Sequence, residues 1–312
     1  MKTLQEYSLL KKMACSLFGA AITVLSLPSG AQSVFSFARQ SVANDGYLAV
    51  QDFHTVSDGS TVSASINKSF TGKNRAGATQ TLNFSGSSIA SSQYGRLHVY
   101  SNSTLTNSYY NATNSKYADY NGNVIDPNGS PTIFASDAAA TFTDRLQFGG
   151  VLQSGYKARY IFHVDGLTAG PRYGFVLAAT VDGVQDITGS FDSGNVNTTW
   201  ATMDFNVNGI TPQDIHVEFD NLVAFDTSAL TDGVNYSGLA DFSTTAILTG
   251  IELIDSAGNL ASGWTVSSAS GTRYNAIQGT STAVPEPGAI ALLICGGVSG
   301  GLIFVRRRRK LA

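Results

Sequence analysis

The feature that most limits what this chain can fold into is a period of two. From about residue 32 to residue 283, apolar and polar residues alternate in short runs separated by Gly, Asn, Asp and Ser, and no window sustains a helical period over several turns. Successive side chains of an extended strand point to opposite faces, so this alternation buries one face and wets the other. The middle of the chain is therefore expected to be mainly β. Strand candidates are 61–70, 80–89, 96–100, 139–148, 157–164, 173–181, 199–207, 215–219, 246–254 and 264–268. Strands at this spacing predict an antiparallel β-sandwich, jelly-roll-like in kind.

Turn chemistry agrees. Asp-Gly pairs start at Asp45, Asp58, Asp165, Asp182 and Asp232, and Asn-Gly pairs at Asn121, Asn128 and Asn208. Each supplies residues that tolerate a positive φ between strands. The stretch 105–131 is rich in Asn, Tyr, Gly and Ser with weak alternation. It reads as a long exposed loop and a possible subdivision of the 32–266 domain. Residues 267–283 lose the apolar pattern and accumulate Ser, Gly and Thr, which predicts a flexible linker.

The two ends are of another kind. Lys2, Lys11 and Lys12 precede an uncharged, mostly apolar run over 13–27, followed by Pro28, Ser29, Gly30 and Ala31. A basic start, a short apolar run and a small-residue exit describe a secretory signal over 1–31, cut by signal peptidase after Ala31, with Ala38 as a second position and an uncleaved anchor as the alternative. Near the other end, Val284, Pro285, Glu286 and Pro287 precede an uncharged stretch over 288–305, closed by Arg306, Arg307, Arg308, Arg309 and Lys310. Such a stretch as a helix rises roughly 27 Å, enough for a thin hydrocarbon core. The cations beyond it would stay in the cytoplasm. The middle is thus expected outside the inner membrane.

Charge and cysteine usage narrow the middle further. It holds eleven Lys and Arg, nineteen in the chain less three before it and five after, against twenty Asp and Glu, twenty-two less Glu6 and Glu286. Its net charge is −9, against −3 for the whole chain, which argues against nucleic acid as a partner. Both cysteines, Cys15 and Cys295, lie in the apolar ends. The exported region has neither disulfides nor thiolate metal ligands, and its stability rests on a core.

The order Val-Pro-Glu-Pro, Gly-rich apolar stretch and terminal Arg cluster over 284–312 resembles the PEP-CTERM sorting signal, a tail also labelled an ice-binding protein C-terminal domain. That resemblance implies a Gram-negative host that makes exopolysaccharide. It also implies recognition of the tail by the membrane enzyme exosortase, and a final place at the cell surface or outside the cell. The two prolines around Glu286 keep the motif extended, which suits a processing enzyme. Two further stretches, DAAATFTDRLQF over 137–148 and ADFSTTAILTGIELIDSAGNLASGWTVSSASG over 240–271, resemble segments that recur in β-rich PEP-CTERM proteins of unassigned activity.

No catalytic motif emerges. His54, His98, His163 and His216 are far apart in sequence without metal-ligand spacing. The one Gly-x-Ser-x-Gly match, from Gly297 to Gly301, lies in the apolar tail, where no nucleophile elbow forms. Asp204 and Glu218 are paired carboxylates only if two strands bring them together. Calcium is the one cofactor the acidic loops suggest, at Asp119, Asn121, Asn123 and Asp126 or at Asp220, Asn221, Asp226 and Asp232, though turn formation explains both groups. The expectation is a non-enzymatic structural or binding protein of the surface, matrix or biofilm, contacting polysaccharide through tyrosines such as Tyr94, Tyr109, Tyr110, Tyr117 and Tyr120. The alternative is a secreted hydrolase of matrix polysaccharide.

Overall fold

The computed structural model describes residues 32–44, 47–73, 79–108, 132–150, 152, 154–170, 173–207, 211–226 and 234–279. Within them lie β1 (Ser33–Asn44), β2 (Tyr47–Val56), β3 (Val62–Lys73), β4 (Thr79–Gln93), β5 (Arg96–Ser108), β6 (Thr132–Gly150), β7 (Lys157–Ala169), β8 (Tyr173–Val181), β9 (Val184–Ser190), β10 (Gly194–Ala201), β11 (Phe205–Asn206), β12 (Gln213–Asp226), β13 (Val234–Ile254), β14 (Trp264–Ser268) and β15 (Ala276–Ile277). The protein is mainly β, and no helix occurs among the described residues.

Two sheets form. Sheet A runs β2-β1-β6-β12-β8-β9 with β14 also on β6; sheet B runs β10-β7-β13-β5-β4-β3 with β11 on β7 and β15 on β13. The pairings are antiparallel apart from β13 with β15. The inner faces share one apolar interior. Phe134 of β6 meets Phe84 of β4 with ring centroids 5.2 Å apart, and Phe175 and Phe219 of sheet A both meet Phe242 of β13, at 4.7 and 5.4 Å. β7 shows how the alternation does this: Ala158, Tyr160, Phe162 and Val164 are buried, while Arg159, Ile161, His163 and Asp165 face outward.

The interior also carries a polar seam. Gln40 of β1 donates to Ser88 Oγ of β4 at 3.1 Å and accepts from Ser136 of β6, whose hydroxyl also meets Ser103 of β5. Ser36 Oγ lies 2.7 Å from Ser92 Oγ, and Asn221 of β12 accepts from Ser101 Oγ at 2.8 Å and donates to the Ala240 carbonyl at 2.8 Å. These bonds satisfy groups that would be costly to bury alone, and they hold the sheets in one registration. Gly86 is required here, because a Cβ would stand 2.6 Å from both Gln40 Oε1 and Ser136 Oγ.

Several expectations change. β1, β2 and β9 lie where no strand was expected, and the 199–207 candidate is broken into β10 and β11 by residues 202–204. Asp165–Gly166 is not a turn but the interior of β7, where glycine admits the Phe242 ring: a Cβ would meet its Cδ1 at 2.3 Å. Asp182–Gly183 does form a turn, with φ of 49° and 80°, the left-handed pair that joins β8 to β9. The 105–131 loop begins inside β5, and its remainder from residue 109 falls outside the described residues.

The stretch expected as a linker, 267–283, is packed through Gly279. Ser267 and Ser268 finish β14, and Asp144 of β6, fully buried, accepts from Ser270 N at 3.1 Å, Ser270 Oγ at 2.6 Å and Tyr274 Oη at 2.8 Å. A buried carboxylate attracts whatever donors reach it, and here they come from a Ser-rich segment whose composition alone suggests no order.

Candidate functional site

The outward face of β3, β4 and β5 carries mostly short, uncharged polar side chains. Along β3 the buried positions are Val62, Ala64 and Ile66, so Ser63, Ser65, Asn67 and Ser69 point to solvent. On β4, Phe84, Ser88, Ala90 and Ser92 point in, leaving Asn83, Ser85, Ser87, Ile89, Ser91 and Gln93 outward. On β5, Leu97, Val99, Ser101, Ser103 and Leu105 point in, leaving Arg96, His98, Tyr100, Asn102, Thr104 and Thr106 outward. None of these outward side chains is a carboxylate.

Strand register turns the positions into rows. Asn67 stands opposite Ser85, Ser85 opposite Thr104 and Thr104 opposite Ser237; Ser69 stands opposite Asn83, and Asn83 opposite Thr106. Neighbouring strands are spaced about 4.8 Å, so each row presents a short hydroxyl or amide at that interval. Part of the array is locked. Asn102 Oδ1 accepts from Ser87 N and Ser87 Oγ, each at 2.9 Å, while Asn102 Nδ2 donates to Tyr100 Oη at 2.8 Å, and Ser69 Oγ donates to Asn83 Oδ1 at 2.6 Å. Tyr100 is thereby held by its hydroxyl, beside Ile89, which is 40% exposed. A partly preorganised face of hydroxyl and amide groups, with Arg96 and His98 at the start of β5 and Tyr100 as an aromatic edge opposite Asp241 of β13, suits a polyhydroxylated ligand, which needs many weak hydrogen bonds and a stacking surface.

The outward face of sheet A has the opposite character. Arg39 of β1 grips Asp137 of β6 with two bonds of 2.9 Å, at 2% and 0% exposure. On β12, Asp214, His216, Glu218 and Asp220 follow at every second position. Asp214 pairs with Arg145 at 2.8 Å, and His216 Nδ1 lies 2.9 Å from Thr143 Oγ1. Burial, reinforced by hydrogen-bonded Glu218 beside it, pushes the Asp220 carboxyl well above the usual range, and its Oδ1 is buried without a partner. Burial also raises Asp137, against the pull of Arg39, and lowers His216.

The sequence candidates distribute differently from their expected groupings. Asp204 and Glu218 are not paired: Asp204 binds Arg159 at 2.8 Å on the outside of sheet B, whereas Glu218 contacts Asp220 on sheet A. The second calcium group is not a loop, since Asp220 and Asn221 are neighbours within β12 and point to opposite faces, so they cannot converge on one ion. The four histidines lie on β2, β5, β7 and β12; His54 pairs with Asp52 at 3.0 Å and His98 Nδ1 lies 2.7 Å from the Ser243 carbonyl. Tyr94 forms the β4–β5 turn with Gly95, and its hydroxyl's pKa is raised by burial and by Asp144. Ala31, Asp119, Asn121, Asn123, Asp126, Tyr109, Tyr110, Tyr117, Tyr120, the 284–287 motif and the 306–310 basic cluster lie outside the described residues. No group of three or more His, Cys, Asp and Glu able to hold a metal occurs among the described residues.

The β3–β5 face was missed as a site in the sequence, although its signal is local. Ser63-Ala64-Ser65-Ile66-Asn67 and Asn83-Phe84-Ser85-Gly86-Ser87 alternate with only short neutral polar groups at the outward positions, where a solvated strand usually mixes in charge. No family model matches the chain, and no match is found among the curated proteins.

Proposed function

We propose that this is an exported, non-enzymatic protein of the bacterial surface or extracellular matrix, which binds polysaccharide through the outward face of β3–β5. The neutral hydroxyl and amide rows of that face carry the reading, with Tyr100 as the stacking edge and Asn102 holding it. The mature region is a β-sandwich, jelly-roll-like in that the chain repeatedly changes sheet between consecutive strands, as from β5 to β6 to β7 to β8 and from β11 through β14.

In this reading, signal peptidase releases residues 1–31, and cleavage after Ala31 spares β1. Cleavage after Ala38 would remove the first half of that strand, in which Ala38 is wholly buried. The 288–305 stretch holds the exported chain in the inner membrane, the basic cluster stops it there, and exosortase acts at the Val284-Pro285-Glu286-Pro287 motif. The −9 charge of the exported region and its freedom from cysteine suit such a location.

A hydrolase of matrix polysaccharide gains no support from the carboxylates described. Glycoside hydrolysis needs two carboxyl groups flanking the scissile bond, roughly 5 Å or more apart; here Asp204 and Glu252 are both tied to Arg159, at 2.8 and 3.3 Å, and Asp220 is held beside Glu218 with its carboxyl pushed up by burial. The test is a glycan array probed with the full chain in detergent, alongside Tyr100→Ala. Binding that weakens about tenfold in the variant, about 1.4 kcal/mol, is expected; absence of binding by the parent protein removes the polysaccharide reading. Alkaline phosphatase fusions within 32–283 test export separately, and an inactive fusion refutes it.

A further inference from the structure

We propose that β10 is a docking edge for a second copy of this chain, which pairs with it antiparallel through its own β10, about a two-fold axis at Thr198, and so extends sheet B across two molecules. The proposal stands apart from the export and polysaccharide readings.

The strands that end the two main sheet paths are β2 and β9 in sheet A and β3 and β10 in sheet B. An edge strand leaves a row of backbone groups unpaired, and native proteins blunt such rows with charge, proline or a covering segment. All but one of these edges have that protection. β2 holds Asp52 and His54, and Asp52 Oδ2 accepts from Ser65 N of β3 at 2.8 Å, which caps that edge as well. β3 adds Lys68 and Lys73, and β9 holds Asp186, whose Oδ1 accepts from Ile187 N at 3.0 Å. β10, with the sequence Gly-Asn-Val-Asn-Thr-Thr-Trp-Ala, has neither a charged residue nor a proline. Nothing covers it, since Asn195, Asn197, Thr198, Thr199 and Ala201 are all exposed.

Its free backbone groups follow from the pairing with β7. Thr202 N donates to the Tyr160 carbonyl at 3.0 Å, and Trp200 stands opposite Phe162, Thr198 opposite Val164 and Val196 opposite Gly166. Residues that bond to the neighbour alternate with residues whose backbone groups point away from it. The even-numbered residues therefore bond to β7, and the N–H and C=O groups of Asn195, Asn197, Thr199 and Ala201 face the open edge. None of these four has a backbone bond outside the β7 ladder among the described residues.

One register satisfies them together. The centre of the four free residues is Thr198, so with Thr198 opposite the partner's Thr198, Asn195 faces the partner's Ala201 and Asn197 the partner's Thr199, and the reverse by symmetry. Every free group then finds a partner and none is left over. The same register sets Val196 beside the partner's Trp200 on the inward side. Both are half-buried, and Trp200 stacks on Phe162 at 5.4 Å, so pairing takes the remaining surface of an aromatic and a β-branched side chain out of water.

Exposed apolar side chains gather at the same edge. Val184, at 50%, and Met203, at 43%, are the two most exposed large hydrophobic residues described. Asp186 Oδ2 accepts from Met203 N at 2.6 Å, which ties the residues after β10 to β9 two positions from Val184. Leu167, 38% exposed, stands opposite Asn195. Apolar surface left in water around an unpaired strand marks an association site. Charge does not oppose it, because the facing strands are neutral and Asp204, just past the end of β10, is paired with Arg159 at 2.8 Å.

The test uses the full chain in detergent, with Cys15→Ser and Cys295→Ser so that an introduced thiol stands alone. Thr198→Cys is expected to form an intermolecular disulfide on mild oxidation, because directly opposed residues that do not bond to each other hold their Cα atoms about 4.5 Å apart, within disulfide range. Asn195→Cys, exposed on the same strand but opposite the partner's Ala201, is expected to cross-link at least about tenfold less, its own counterpart lying beyond bridging distance. Equal cross-linking at the two positions, or none at Thr198→Cys, overturns the proposal. Sedimentation equilibrium in density-matched detergent should show the parent chain as a dimer. Thr199→Lys should raise its dissociation constant at least about tenfold with an unchanged circular dichroism spectrum, since a lysine on an exposed edge position guards the edge without touching the monomer's ladder. A monomeric parent overturns the proposal, and so does a dimer indifferent to Thr199→Lys, which would place the association elsewhere in the chain.

Discussion

The outward faces of the two sheets are built from the same alternation and treat charge in opposite ways. On sheet A, Arg39 and Asp137 pair across two strands and are shielded from water, while His216, Glu218 and Asp220 line β12 half-buried, His216 beside Thr143 and Asp220 beside Glu218. On β3–β5 the outward positions are mostly short, uncharged and half-buried or exposed, and where they bond to one another they do so through neutral hydroxyls and amides. The difference separates two tolerances. A buried charge constrains the fold because removing its partner leaves it uncompensated, whereas an exposed hydroxyl can be given to a ligand with little effect on stability.

That contrast breaks most decisively at Arg39. Arg39→Ala leaves the Asp137 carboxylate buried and unpaired, and should cost about 3–5 kcal/mol in urea unfolding. A cost under about 1 kcal/mol would mean that water reaches this end of sheet A and that the two faces do not differ as described. Next in size, Tyr100→Ala should change stability by no more than about 1 kcal/mol while weakening glycan binding about tenfold, measured by calorimetry beside a melting curve.

Asp220→Asn sharpens the contrast through pH. The carboxyl is pushed above its ordinary 3.8, so the proton retained in the fold contributes stability that is complete below that value and is lost as pH rises through the raised pKa. The amide keeps its neutrality at every pH, and the variant should melt higher than the parent near about pH 8, with the gap closing toward about pH 4. A gap of the opposite sign would show that the Asp220 carboxylate is stabilised in the fold. His216 contributes in the other direction. Its pKa is lowered by burial, against the Glu218 charge, so its contribution is present above 6.5 and lost as pH falls, and the comparison is made at matched pH. The smallest effect is expected at Ser85→Ala, with stability within about 0.5 kcal/mol and binding reduced by about 0.5–1.5 kcal/mol.

The strands easiest to anticipate were those whose inward residues are apolar, such as β7 and β8. β1 was not legible because Ser36, Arg39, Gln40 and Ser41 interrupt its apolar pattern while being buried in the fold. The partners of Ser36, Arg39 and Gln40, namely Ser92, Asp137 and Ser88, lie 48 to 98 residues away along the chain, beyond any local window. The same distance hid the packing of 267–279: nothing in Ser267-Ser268-Ala269-Ser270-Gly271 announces order until Asp144, 126 residues earlier, is brought beside Ser270. The turn expected at Asp165–Gly166 failed for a related reason, since there the glycine makes room for Phe242 instead of reversing the chain.

What the sequence determined by itself is the period of two, the acidic and cysteine-free character of the middle, and the apolar, differently charged ends. These are sums over local composition, and local composition does not depend on which strands meet. Tertiary structure alone decided which polar residues are inside, which carboxylates touch, and that the rows of β3–β5 align into one face. Strand pairing is a choice among distant partners, made by the energy of satisfying buried groups together, and no single stretch of chain contains it.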